Sequence, residues 1–226
     1  MKFKNWLAGM AGAALLAWTT CATAFAADAP AAQAASETAA GKDLFNGKDL
    51  KGWLVTDFGG QGETEVKDGK ILTHQGASCS GVQYTNALPT NNFRITLEAM
   101  KVMGDDFFCG LTFPVGKSHC SLIVGGWGGG VVGLSSLDGM DASENDLTKY
   151  MNFKKEKWYK IRADVTTERI KVWIDQDLMI DADIKERKVD VRPGPIEMQK
   201  PFGICAYQTT AAWRNIRIEP LAVAKP

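Results

Sequence analysis

Histidine is scarce in this chain: His74 and His119 are the only two in 226 residues. None of the five cysteines forms a C-x-x-C pair, so a structural zinc site would lack its usual ligands. Lysine plus arginine equals aspartate plus glutamate at 26 each, and no basic block gathers the positive charge, which excludes a phosphate-backbone partner such as nucleic acid. There is no D-x-D-x-D-G calcium loop, no internal repeat, and none of the strand–helix alternation that a parallel sheet requires.

What is present starts with Met1-Lys2-Phe3-Lys4, an apolar run to Trp18, and the A-x-A site Ala24-Phe25-Ala26. This pattern predicts a signal peptide over residues 1–26, hence an exported bacterial protein, periplasmic or extracellular, with no membrane span after cleavage. Loss of Lys2 and Lys4 leaves about 200 residues with a formal charge of about −2. Residues 27–41 are small, polar and aperiodic, a flexible linker, and residues 221–226 form a tail. Between them, 42–220 is long enough for one well-buried domain.

Cleavage would leave Cys79, Cys109, Cys120 and Cys205, an even count that in an exported chain suggests disulfides. Cys109 and Cys120 flank the turn signal Pro114-Val115-Gly116-Lys117 and are expected as cross-strand neighbours, leaving Cys79 with Cys205. Buried free thiols are the alternative.

Short runs of alternating apolar and polar residues, separated by turn residues, dominate the domain. Phe93 to Met100, Trp158 to Val165 and Ile170 to Asp175 each put one face in and one out, with Asp68-Gly69, Thr166 to Arg169 and Asp175-Gln176-Asp177 as turns. About a dozen strands result, and only Ser143 to Phe153 reads as a possible short helix. The fold class is all-β, an antiparallel two-sheet sandwich.

The stretch from Phe107 to Asp146 carries most of the candidate chemistry. Trp127 lies among Gly125, Gly126, Gly128, Gly129 and Gly130, where an exposed indole could stack on a pyranose, or plug the core instead. Asp138, Asp141 and Glu144 follow, with Asn145 and Asp146, as candidate acid, base or ligands for a divalent cation, or as solvated charges. His119, on the second hairpin strand, is the best placed histidine for a general base. His74, at a strand end, reads as structural.

The ends of the domain resemble a known family. Leu44-Phe45-Asn46-Gly47-Lys48-Asp49-Leu50-Lys51-Gly52-Trp53 and Arg214-Asn215-Ile216-Arg217-Ile218 are similar to the bracketing motifs of DUF1080, the 3-keto-disaccharide hydrolase domain. The resemblance implies a jelly roll of the concanavalin A-like lectin/glucanase type and action on 3-keto-glycosides, by hydrolysis or by elimination and hydration. It also implies that the strand before the closing motif faces the site, which makes Tyr207 and Gln208 substrate-binding candidates. That strand usually reads Leu-Gln-x-His; here Tyr207-Gln208-Thr209-Thr210 keeps the glutamine and lacks the histidine. A non-catalytic carbohydrate-binding or surface-interaction module on the same fold is the alternative.

Overall fold

The computed structural model describes residues 41–222. The expected signal peptide, nearly all of the linker and the last four residues lie outside them. Among the described residues there are fifteen strands: β1 (Lys42–Asp43), β2 (Trp53–Val55), β3 (Thr64–Lys67), β4 (Lys70–Thr73), β5 (Cys79–Tyr84), β6 (Phe93–Gly104), β7 (Cys109–Val115), β8 (Ser118–Gly126), β9 (Val131–Ser135), β10 (Lys149–Tyr150), β11 (Trp158–Val165), β12 (Arg169–Ile174), β13 (Asp177–Asp183), β14 (Gly203–Tyr207) and β15 (Thr209–Pro220). They form two antiparallel sheets. One runs β13-β12-β11-β6-β15-β4-β3, with β1 also on β15; the other runs β10-β9-β8-β7-β14-β5-β2. Among the described residues, no helix is long and apolar enough to cross a membrane.

The alternating runs became the strands their period implies. In β6, Phe93, Ile95, Leu97 and Ala99 are fully or almost fully buried while the residues between them are half-exposed. Partners on the facing sheet, including Leu111, Phe113, Leu122, Leu134 and Ile204, complete the core.

The two bracketing motifs prove to be one structural unit. Asn46 Oδ1 accepts the Lys48 and Asp49 amides at 2.8 and 3.0 Å, and Asp49 Oδ1 accepts the Lys51 amide at 3.0 Å, so the loop is closed by its own side chains. It drops Trp53 into the core against Tyr84 and Phe202, with the indole N–H donating to Leu44 O at 2.8 Å. β1 pairs with the closing motif, Lys42 opposite Ile218, and Arg214 and Asn215 both donate to Glu98. Desolvation pushes the Glu98 carboxyl up, but the Asn215 and Arg214 hydrogen bonds outweigh it and hold the group below the usual glutamate range.

Two expectations are corrected. The hairpin turns at Gly116-Lys117, which pairs Val115 with Ser118 and therefore Phe113 with Cys120 and Cys109 with Val124. Cys109 and Cys120 are not cross-strand neighbours; each is a separate core thiol, and burial pushes Cys120 up to about 12 and Cys109 higher still. The four cysteines among the described residues are free thiols, and Cys79 and Cys205 share the outer face of the adjacent strands β5 and β14. Ser143 to Phe153 is a series of turns, the short β10 and an irregular stretch after it, because the buried Asn145 side chain donates to Leu134 O and Asp141 O and ties the segment down. The helical segment is instead a 3-10 helix at Pro195–Gln199.

That 3-10 helix and the preceding chain lie on the outer face of the second sheet. Leu137 bridges Val189, Ser136 and Asp190 exchange backbone hydrogen bonds, and Ile123, Val131, Ala142, Val191, Ile196 and Cys205 form a second small apolar cluster there. Glycine makes the approach possible: a Cβ at Gly133 would run into the Ala142 backbone, and one at Gly203 into the Gln199 side chain.

Candidate functional site

The covering segments leave a cleft of about 430 Å³ on this outer face, a volume in the range of small-ligand sites. Cys79, Ile123 and Ser135 contribute from the sheet, Asp106 and Phe107 from the loop before β7, Tyr207 from the end of β14, and Asp141 and Arg192 from the covering segments. Trp127 stands in the turn between β8 and β9.

That turn explains why the tryptophan faces solvent. Gly126 O accepts both the Gly129 and Gly130 amides at 3.2 Å, and Trp127 itself has φ of 47°, a left-handed conformation that throws its side chain off the sheet. The indole is 44% exposed, so it does not plug the core. Phe107 and Tyr207 stack with ring centroids 5.8 Å apart at 27°, and the Tyr207 amide donates to Phe107 O at 3.0 Å.

Asp141 is the buried polar centre of the cleft. Its Oδ1 accepts from Ser135 Oγ at 2.6 Å and from the Ala142 amide at 2.7 Å, and its Oδ2 pairs with the Arg192 guanidinium. The Asp141 side chain is 11% exposed and that of Arg192 58%, so the acid is set in the wall and the arginine reaches the mouth. A buried carboxylate with a cation and two neutral donors is fully compensated.

Of the residues singled out in the sequence, the structure brings together Trp127, Asp141 and Tyr207. It does not bring the others into the cleft. Asp138 is exposed and receives Arg187 at 2.8 Å, and Asp146 receives the same guanidinium at 2.7 Å. Glu144 receives only the Asp141 amide, at 3.3 Å, from an exposed position. The acidic run is therefore answered by Arg187 and Arg192, and among the described residues no three His, Cys, Asp or Glu side chains converge to hold a metal ion. His119 shares the outer face of β8 but sits opposite Pro114, beside the Gly116-Lys117 turn; burial, then the charge of Lys200, lowers it below the usual imidazole value. His74 is half-exposed, 3.9 Å from Glu65. Gln208 turns left-handed, at φ of 45°, and its amide side chain donates to Ala77 O at 3.3 Å outside the cleft.

Arg192, Ser135, Asp106 and Phe107 were not singled out from sequence. The run Arg192-Pro193-Gly194-Pro195 was the available signal, since two prolines and a glycine fix an extended surface segment that can carry an arginine to a site. Nothing local in the sequence pairs it with Asp141, 51 residues away.

The two-layer antiparallel architecture defines a concanavalin A-like jelly roll. Solved structures share it: the carbohydrate recognition domain of Emp47p, at 12% identity over 83% of this chain and 97% of that one with a TM-score of 0.52, and the transglycosylase Crh5 in complex with NAG, at 11% identity over 81% and 84% with a TM-score of 0.53. A Parabacteroides distasonis protein solved as a candidate glycosyl hydrolase has 15% identity over 79% and 93%, with a TM-score of 0.49. A search of the curated proteins finds no match. The sequence profile of the 3-keto-alpha-glucoside-1,2-lyase-like domain matches residues 40–219, and the chain belongs to that family.

Proposed function

We propose that this chain binds a 3-keto-glycoside in the outer-face cleft and cleaves it by elimination followed by hydration, working outside the cytoplasm. The observation that carries the reading is the Asp141–Arg192 pair in the wall of a cleft edged by an exposed tryptophan. A ketone at C3 acidifies the proton on C2, so the reaction needs a base and a carbonyl-polarising group side by side, one for each of two bonded carbons. Carboxylate and guanidinium in contact meet that demand.

In this reading Arg192 moves from Asp141 onto the C3 oxygen as substrate enters. Asp141 then takes the C2 proton, charge gathers on the C3 oxygen against the guanidinium, and the C1–O bond breaks, with the departing oxygen protonated from solvent in the open cleft. Addition of water across C1 and C2 returns the proton and yields the free 3-keto sugar. Trp127 and the Phe107–Tyr207 stack hold the ring faces while the reaction proceeds. The family description, a 1,2-lyase acting on 3-keto-alpha-glucosides, supports this chemistry.

A second reading, glycan binding without turnover, is favoured by one feature. Asp141 already accepts from Ser135, Ala142 and Arg192, so it must surrender a partner before it can take a proton. The two separate on a 3-keto-glucoside with a chromogenic leaving group, with the unoxidised glucoside as control. Release from the keto substrate alone, falling about 100-fold or more in Asp141→Asn and Arg192→Met, supports the lyase. Saturable binding by the folded wild type with no release supports the binding module.

A further inference from the structure

On the other side of the Trp127 turn lies a lysine whose charge is unanswered. The alternation of β6 that buries Phe93, Ile95, Leu97 and Ala99 puts Lys101 on the same inward face, where it is 5% exposed. Among the described residues its ammonium makes no ion pair and no hydrogen bond. Asp105, the acid whose charge it feels most, is 3.2 Å from Lys155 instead. Burial, only partly offset by Asp105, lowers Lys101 below the usual lysine range. Its stem is buried but its ammonium still reaches solvent, so the charge is free to pair with an anion.

The surroundings fit a particular anion. Lys101 opens onto a second cavity, of about 550 Å³, shared with Asp105, Gly129, Tyr150, Asn152 and Lys155. The glycine turn forms its roof, and it does so because residue 129 has no side chain: a Cβ there would sit 3.3 Å from Lys101 Nζ. Tyr150, 74% exposed, offers an aromatic face in the same cavity. An aromatic face beside an unpaired ammonium matches a sugar ring bearing an acidic substituent, since the ring has apolar C–H faces and the substituent supplies the missing charge. Trp127 and Gly128 are consecutive yet line the first and second cavities respectively, so one chain of sugars crossing the turn would touch both.

We propose that the Lys101 cavity is a subsite for an acidic sugar unit, a uronic acid whose carboxylate pairs with Lys101 and whose ring lies on Tyr150, next to the unit held at Trp127. The placement of the neighbouring unit rests on the cleft reading above; the anion subsite itself does not.

Calorimetric titration of the full chain with methyl glucuronide, methyl glucoside and inorganic sulfate tests it. The expected result is glucuronide bound about tenfold or more tightly than either of the others. Lys101→Met should abolish that preference while melting at or above the wild-type temperature, because it replaces an unpaired ammonium on a buried stem by an apolar chain of similar length, and Lys101→Arg should retain it. Tyr150→Ala should weaken glucuronide and leave sulfate unchanged. Equal affinity for glucuronide and glucoside, a preference that survives Lys101→Met, or no binding of either sugar overturns the subsite. Sulfate binding as tight as glucuronide, indifferent to Tyr150, overturns its assignment to a sugar. The chromogenic release assay with a neutral 3-keto substrate is independent of all these outcomes, so the two readings fail separately.

Discussion

At the scale of single residues, what each side chain touches decides its role more than its type does. Two aspartates three positions apart, Asp138 and Asp141, look equivalent in sequence. One is exposed on Arg187, and the other is sunk in the cleft wall on Ser135 and Arg192. Trp127→Ala should weaken glycoside binding at least tenfold with little change in thermal stability, because the indole is half out of the fold; calorimetry and melting together check both halves. His119 makes a different prediction. Its folded pKa lies below the unfolded value of 6.5, so between the two the unfolded chain binds more protons and stability rises with pH. Stability should therefore fall as pH drops below about 6.5, and a His119→Gln variant should lose that slope in denaturant titrations without losing glycoside release.

The thiols sort in the same way. The neighbouring Cys205, opposed by burial, holds Cys79 below the ordinary thiol value, and Cys79 lines the cleft. Cys109 and Cys120 are fully buried and raised. A thiol reagent applied to the native protein should modify Cys79 first, and both core thiols only after denaturation, as peptide mapping would show.

At the scale of elements, period-2 patterning made β11 legible to its ends and the bodies of β6 and β12 legible, because each has one face on the core and one on solvent, while β6 runs on past Met100 to Gly104 and β12 starts at Arg169, which reads as a turn residue. Register was less legible. Pro114 reads as a turn residue but lies within β7, and placing the reversal at Gly116-Lys117 shifts the partner of Cys109 from Cys120 to Val124. The Pro195–Gln199 helix has too few residues for a period, and its position on the sheet depends on Gly203, a long-range approach that no local pattern reports. The opening motif was legible as a signature and is now legible as physics: a self-closed turn that seats Trp53. Trp53→Ala should cost about 3–5 kcal/mol in equilibrium unfolding, since it empties an aromatic site among Tyr84 and Phe202 and leaves Leu44 O without its indole donor.

At the scale of the whole molecule, the sandwich class and the family could be read from strand spacing and the two end motifs. The site could be read only in part: Trp127, Asp141 and Tyr207 come from three separate segments that the sequence marked, while Arg192 reaches them on a segment defined only by the folded sheet. The outer-face cleft is where these meet, and the proposed chemistry there is removal of the C2 proton. Running the cleavage of a 3-keto-glucoside in heavy water, with an enzyme-free control for spontaneous exchange, and reading the released sugar by NMR tests that claim most directly. The expected result is deuterium at C2 of the product, with release lost in Asp141→Asn. Release that leaves the C2 proton in place would mean direct displacement at C1 and would contradict it.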